Sequence, residues 1–145
     1  MNWQGNLLTT TEQIRDLIKQ TEHIAVLGIK TEAQSDQPSV YVPLYMQRAG
    51  FEIVPVPVYY PDATEILGAK VYRSLSEIPG DVDMVDVFRR PEHVAAIVDD
   101  CIRLKVPALW LQDGVIDEVA AQKARDAGIF TVMNRCMFRD RSALG

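Results

Sequence analysis

The chain predicts an α/β domain: a doubly wound parallel sheet of about five strands with helices on both faces. Three observations lead there. Residues His23 to Lys30 form an apolar run that stops on Gly28, followed by a polar loop and a helix start at Pro38-Ser39. Apolar strand-like runs then alternate with helical segments down the chain, which implies a parallel sheet covered on both faces. No linker, internal repeat or low-complexity tract interrupts 145 residues, so one domain covers 1–145.

The elements follow in order. Residues 1–9 read as a loose arm. Thr10-Thr11-Glu12 then opens a helix whose Ile14, Leu17 and Ile18 share one face. Strand one is Ile24–Leu27. A helix from about Ser39 to Arg48 ends at Gly50, a suitable C-cap, with Ser39 as its N-cap. Pro43 lies inside it, a position tolerated only close to the first turn. Strand two, Glu52–Val56, is ended by Val54-Pro55-Val56-Pro57. Tyr59 to Asp81 reads as a loop with a short element around Ile66–Ser74. Val82–Phe88 is the third main strand and Pro91–Lys105 a helix with Val94, Ile97, Val98 and Ile102 as its packed stripe. Pro107–Leu111 is the fourth strand, Ile116–Ala127 a helix closed by Gly128, and Ile129–Met133 the fifth strand. Right-handed crossovers make this a Rossmann-like sheet.

Composition narrows the function. A chain of this length buries roughly 70% of its unfolded surface. The net charge of −5 argues against a general nucleic-acid surface. No stretch approaches the roughly 18 apolar residues of a membrane span, and no signal-peptide core is present, so the cytoplasm is the expected location. Cys101 and Cys136 have neither metal-ligand spacing nor a disulfide framework. Cys101 falls on an apolar helix face; Cys136 follows Arg135, whose charge could lower a thiol pKa. A homodimer is compatible with the sequence, though no residue requires one.

Ligands of such sheets bind outside the carboxyl ends of the strands. Those ends carry Gly28-Ile29-Lys30, Val56-Pro57-Val58, Val87-Phe88-Arg89-Arg90, Leu111-Gln112-Asp113-Gly114 and Asn134-Arg135-Cys136. Glycine, apolar groups, an aromatic ring and several cations converge, a set that suits a phosphorylated adenine ligand. Gly28 permits close backbone approach to phosphate, or simply a turn with positive φ. Lys30, Arg89 and Arg90 supply positive charge in an acidic chain. Phe88 and Trp110 fit a core role as well as a ligand wall. A G-x-G-x-x-G fingerprint is absent, and strand two ends without the acid that a dinucleotide fold uses for ribose. This disfavours NAD.

Catalytic patterns are sparse. His23 falls at the opposite edge from the ligand side. His93 lies early on a helix after Arg90-Pro91-Glu92, within reach of the pocket or simply exposed. Asp86 must be hydrogen-bonded or ligand-facing, because it lies in an apolar strand; a structural cap to a neighbouring loop is the simpler role. No nucleophile elbow, zinc motif or P-loop occurs.

Four blocks in order resemble the stand-alone CoA-binding domain family of small bacterial and archaeal proteins. More distantly they resemble the N-terminal domain of the succinyl-CoA synthetase alpha subunit. The blocks are Ile24-Ala25-Val26-Leu27-Gly28 with Pro38-Ser39 and Tyr41-Val42; Gly50-Phe51-Glu52-Ile53-Val54-Pro55-Val56; Val82-Asp83-Met84-Val85-Asp86-Val87-Phe88-Arg89; and Trp110-Leu111-Gln112 with Gly114-Val115, closed by Val132-Met133-Asn134-Arg135-Cys136. The resemblance spans about Ile14 to Met137. It implies binding of coenzyme A or an acyl-CoA by a non-catalytic or regulatory module. Carried over by position, Gly28, Ile29, Lys30 and Ser39 would hold phosphate. Val56, Pro57 and Phe88 would line the adenosine, with Arg89 and Gln112 at the rim.

The chain departs from the family where Gly28-Ile29-Lys30 replaces a Gly-Ala-Ser-like turn. It departs again where Gln37 replaces an arginine before Pro38-Ser39, and where Pro57 replaces an asparagine. Lys30 is a candidate to restore the missing charge. Larger CoA ligases use a histidine phosphorylated in a second domain, so ligase activity by this chain alone is not expected. The alternatives are a small NAD(P)- or CoA-dependent enzyme using Arg89, His93 or Cys136, and an interaction protein with a vestigial nucleotide pocket.

Overall fold

The structure, a computed structural model, describes residues 6–144. Its elements are α1 (Thr11–Gln20), β1 (His23–Leu27), α2 (Pro38–Arg48), β2 (Glu52–Val56), β3 (Glu65–Ile66), β4 (Ala69–Lys70), β5 (Met84–Val87), α3 (Val94–Leu104), β6 (Ala108–Leu111), α4 (Glu118–Asp126), β7 (Phe130–Met133) and α5 (Met137–Ser142). Five of the strands form one parallel sheet in the order β2-β1-β5-β6-β7, while β3 and β4 make a separate antiparallel hairpin. The expected doubly wound α/β architecture is therefore present.

Two cores sandwich the sheet. On one face Ile14, Leu17 and Ile18 of α1, Val42 and Met46 of α2 and Met137 of α5 pack against Ile24, Val26, Met84, Trp110 and Val132. On the other, Val94, Ile97, Val98 and Cys101 of α3 and Ala120 and Ala124 of α4 pack against Ala25, Val85, Val87, Leu109 and Leu111. Strand alternation sends neighbouring residues to opposite cores, so each strand gives apolar side chains to both faces, with Asp86 and Thr131 as buried polar exceptions.

The strands end level. Leu27 stands opposite both Val56 and Val87, Val87 opposite Leu111, and Leu111 opposite Met133. From β1 the chain crosses to β2 on one side and later to β5 on the other. The carboxyl ends of β1 and β5 thus flank the switch point, where a crevice opens in such sheets.

Several boundaries differ from the sequence reading for identifiable reasons. Residues 1–5 of the expected loose arm lie outside the described residues. The part of it that is described is docked: Leu7 pairs with Thr131, the Leu8 N–H donates to the Thr131 carbonyl at 2.9 Å, and Leu8 is buried. Gln37, not Ser39, is the N-cap of α2, because Pro38 takes the first helical position that its fixed φ favours. Pro91–His93 is a 3-10 turn before α3. Asp117 caps α4 by accepting the Ala120 N–H at 3.0 Å, so that helix starts later than Ile116. The short α5 was not anticipated.

Candidate functional site

A cleft of about 530 Å³ opens along the carboxyl edge, within the ~300–1,000 Å³ usual for small-molecule sites. Every strand of the main sheet feeds it. Gly28 and Lys30 follow β1, and Gln37, Pro38, Ser39 and Tyr41 come from the start of α2. Val58 and Tyr59 follow β2, and the run Phe88 to Pro91 follows β5. Gln112 to Val115 follow β6, and Cys136 and Arg139 follow β7.

The β1 turn is built around Gly28. Its N–H donates to the Val56 carbonyl at 2.9 Å, while the Phe88 N–H donates to the Leu27 carbonyl at 2.9 Å. These bonds extend the ladder past both strand ends and press the two turns together. Gly28 adopts φ +91°, and a Cβ on it would lie 2.2 Å from the Phe88 carbonyl oxygen. Glycine is required by both backbone and space.

Lys30 is tied to α2 twice. Its Nζ donates to the Gln37 Oε1, and its N–H reaches the Ser39 carbonyl at 3.4 Å. The second contact has a cause further along the helix. Pro43 is four residues beyond Ser39 and has no N–H to donate, so the Ser39 carbonyl lacks its helical partner. Pro43 lies in the second turn, deeper than the sequence reading tolerates; the β1 loop supplies the missing donor.

Charge in the cleft is lopsided. Lys30, Arg89, Arg90 and Arg139 line it against one carboxylate, Asp113, in a chain of net charge −5. Arg139 pairs with Asp113 at 3.1 Å and Arg90 with Glu92 at 3.1 Å. Both pairs are exposed and so hold their arginines only weakly. Arg135 is different. It grips Asp140 through two bonds of 2.9 and 2.7 Å, which raise its pKa, so its charge is engaged beside Cys136.

The cleft floor rests on a buried polar chain. Asp86 is 1% exposed and its Oδ1 accepts from Gln112 Nε2 at 2.6 Å. The Gln112 Oε1 in turn accepts the Met137 N–H at 3.3 Å, at the start of α5. Burial pushes the Asp86 carboxyl up to about 7, against the pull of the Gln112 bond. Trp110 adds a second tie, its Nε1 donating to the Arg135 carbonyl at 2.9 Å. Asn134, at φ +60°, accepts the Gly114 N–H at 2.8 Å. Asp86 is thus the structural cap expected of it, and Gln112 is anchored through both ends of its amide.

Of the residues proposed from sequence, Gly28, Lys30, Ser39, Phe88, Arg89 and Gln112 meet at the cleft. Ile29, Val56 and Pro57 are not among its lining residues. Ile29 turns into the α2-side core, Val56 into the α3-side core, and Pro57 is buried. The β2 wall is made instead by Val58 and Tyr59, further along the turn. Tyr41 and Arg139 were also missed. Arg139 belongs to the unforeseen α5; Tyr41 follows Pro38 by three residues, one helical turn, and that spacing was the available signal.

The remaining chemical candidates lie elsewhere. His93 is not among the lining residues; its Nε2 is buried, 3.7 Å from Glu92 Oε1. His23 is at the amino edge, 2.9 Å from Glu52 Oε2 and 3.4 Å from Asp83 Oδ2. Burial acts to raise the Asp83 pKa, but the N–H groups of His23 and Glu22 outweigh it and the net shift is downward. Cys101 is a core thiol that burial raises to about 12. Among the described residues no cluster of three or more His, Cys, Asp or Glu could hold a metal, and no helix is long and apolar enough to cross a membrane.

Residues 22–141 match the model of a family described as a CoA binding domain. The chain is similar to the uncharacterized protein YneT of Bacillus subtilis strain 168, at 34% identity over 125 residues, 86% of this chain and 89% of YneT. Its fold is similar to that of a hypothetical protein from Pyrococcus horikoshii OT3, with a TM-score of 0.84 and 31% identity over 94% of each chain. A Thermus thermophilus protein, cell-free ID.343, superimposes with a TM-score of 0.84 and 28% identity, over 94% of this chain and all of that one.

Proposed function

The chain belongs to the CoA binding domain family, and from that premise we propose that it binds coenzyme A or an acyl-CoA in the carboxyl-edge cleft, as a binding or regulatory module. One observation carries the reading. Four cations share the cleft with a glycine turn and the start of α2, against a single carboxylate, together with the uncharged side chains of Phe88, Val58 and Tyr59. Phosphates suit the cations, and the N-terminus of α2 adds its own positive potential. A base and its ribose suit the apolar wall.

Lys30 stands where the family's arginine charge is missing, because its ammonium is held by Gln37, the residue that replaces that arginine. In the reading proposed here Lys30 exchanges part of that bond for a ligand phosphate. Asp113, the one carboxylate in the lining, follows β6 rather than β2, which continues to favour CoA over NAD. The two free thiols suit a reducing compartment such as the cytoplasm.

Titration calorimetry with CoA, acetyl-CoA, NAD, NADP and ATP tests the reading. Saturable binding of CoA or acetyl-CoA in preference to the other nucleotides is the expected result. Preference for NAD, or silence toward all of them, overturns it.

A further inference from the structure

Arg73 touches the backbone of the turn at 59–63, which begins at the cleft residue Tyr59, at four points. Its Nη1 donates to the Tyr59 carbonyl at 3.2 Å, and its Nη2 donates to the carbonyls of Tyr60, Pro61 and Ala63 at 2.8, 3.1 and 2.8 Å. A guanidinium aimed at carbonyls in this way acts as a clasp, since its rigid fork reaches several acceptors at once. The turn it gathers is not one the chain adopts readily. Tyr60 has φ +63°, an uncommon conformation for a residue with a side chain. The turn's own bond, from the Ala63 N–H to the Tyr60 carbonyl at 3.0 Å, is a single one.

The turn presents Tyr59 to the cleft. Tyr59 lines it and is 59% exposed. It meets Tyr60 edge-on, with centroids 6.4 Å apart and planes at 88°. Val58 next to it carries no charge, and the cations of the cleft come from other loops.

We propose that Arg73 is a positioning residue, which holds the 59–63 turn so that Tyr59 forms a ready-made face for the aromatic base of the ligand. The proposal rests on the CoA reading above and assigns its base-recognition end. Because the turn is shaped before the ligand arrives, little ordering is left to oppose binding. A ring face stacks on a base without hydrogen bonds of its own, so selection here is for a planar group.

Calorimetry on the full chain with CoA and with 4′-phosphopantetheine, which has no base, provides the test. Tyr59→Ala and Arg73→Met are each expected to weaken CoA about ten-fold and leave phosphopantetheine unaffected. The double variant should lose no more than either single one, because Arg73 acts through Tyr59. Arg73→Lys keeps the charge but not the fork and should resemble Arg73→Met; in the absence of any ligand it should also shift the amide resonances of Tyr59, Tyr60, Asp62 and Ala63. Equal losses toward both probes, additive losses, or unchanged CoA affinity would overturn the proposal while leaving the CoA reading in place. A wild-type chain that does not bind CoA would overturn both.

Discussion

The Cα of Gly28 lies against the backbone of Phe88, so close that a methyl group on it would stand 2.2 Å from the Phe88 carbonyl oxygen. The glycine that marks the end of β1 is therefore fixed by packing as well as by its φ of +91°. Two strand-end turns share one volume, and the cleft forms above them.

Gly28→Ala should accordingly act first on stability. The clash and the left-handed backbone together should cost about 3 kcal/mol, within the range of severe single substitutions. Urea unfolding followed by circular dichroism reads this directly. A loss below about 1 kcal/mol would mean that the β1 and β5 turns can separate.

Lys30→Ala should weaken CoA about ten-fold, equivalent to about 1.4 kcal/mol, and flatten the dependence of affinity on salt. Lys30→Arg should restore most of both. Affinity measured across a series of ionic strengths checks it, and an unchanged salt response would remove Lys30 from the phosphate end.

Pro43→Ala restores an N–H that competes with Lys30 for the Ser39 carbonyl. The Lys30 amide should then exchange with solvent faster, while the exchange of amides in β1 stays as it was. Amide exchange followed by NMR measures both. If the Lys30 amide is equally protected in the variant, the missing donor at Pro43 does not explain the contact.

Asp86 carries a pH signature of unusual sign. Its folded pKa of about 7 lies above the ordinary carboxylate value of 3.8. The folded state therefore binds the extra proton between those two values, and stability falls as pH rises through that window. Below it the contribution is complete; above it the charged form carries the full desolvation cost, of the order of 4 kcal/mol at most. Asp86→Asn keeps an acceptor for Gln112 and removes the titration. Between pH 5 and pH 8 the wild type should lose stability relative to the variant, as read from urea midpoints. A constant difference across that range would show that the carboxyl keeps an ordinary pKa.

Much of the fold was legible in the residues. Ile14, Leu17 and Ile18 at helical spacing located α1, and the capping box between Thr10 and Gln13 explains where it starts. The alternation of apolar runs and helices located all five strands of the main sheet. The short hairpin at Glu65–Lys70 and α5 were less visible, because elements of two and six residues carry too few periods to register. Phe88, Arg89 and Gln112 line the cleft beyond their strand ends, whereas after β2 the lining begins at Val58, beyond Val56 and Pro57. Counting along a strand locates its end, but the path of the turn beyond it depends on distant partners, here Arg73.

By itself the sequence determined the parallel sheet, its two apolar faces and the carboxyl edge where charge and glycine gather. Those properties follow from periodicity and composition, which act locally and are written in consecutive residues. Only the tertiary structure decided which side chains face the cleft. Ile29 is drawn into the core while Lys30 is held by Gln37 and Ser39, and Tyr59 is presented by a turn that a residue fourteen positions away clasps. Hydrogen bonds between distant residues and the exclusion of a Cβ at Gly28 make those choices, and neither has a period that one strand or helix could display.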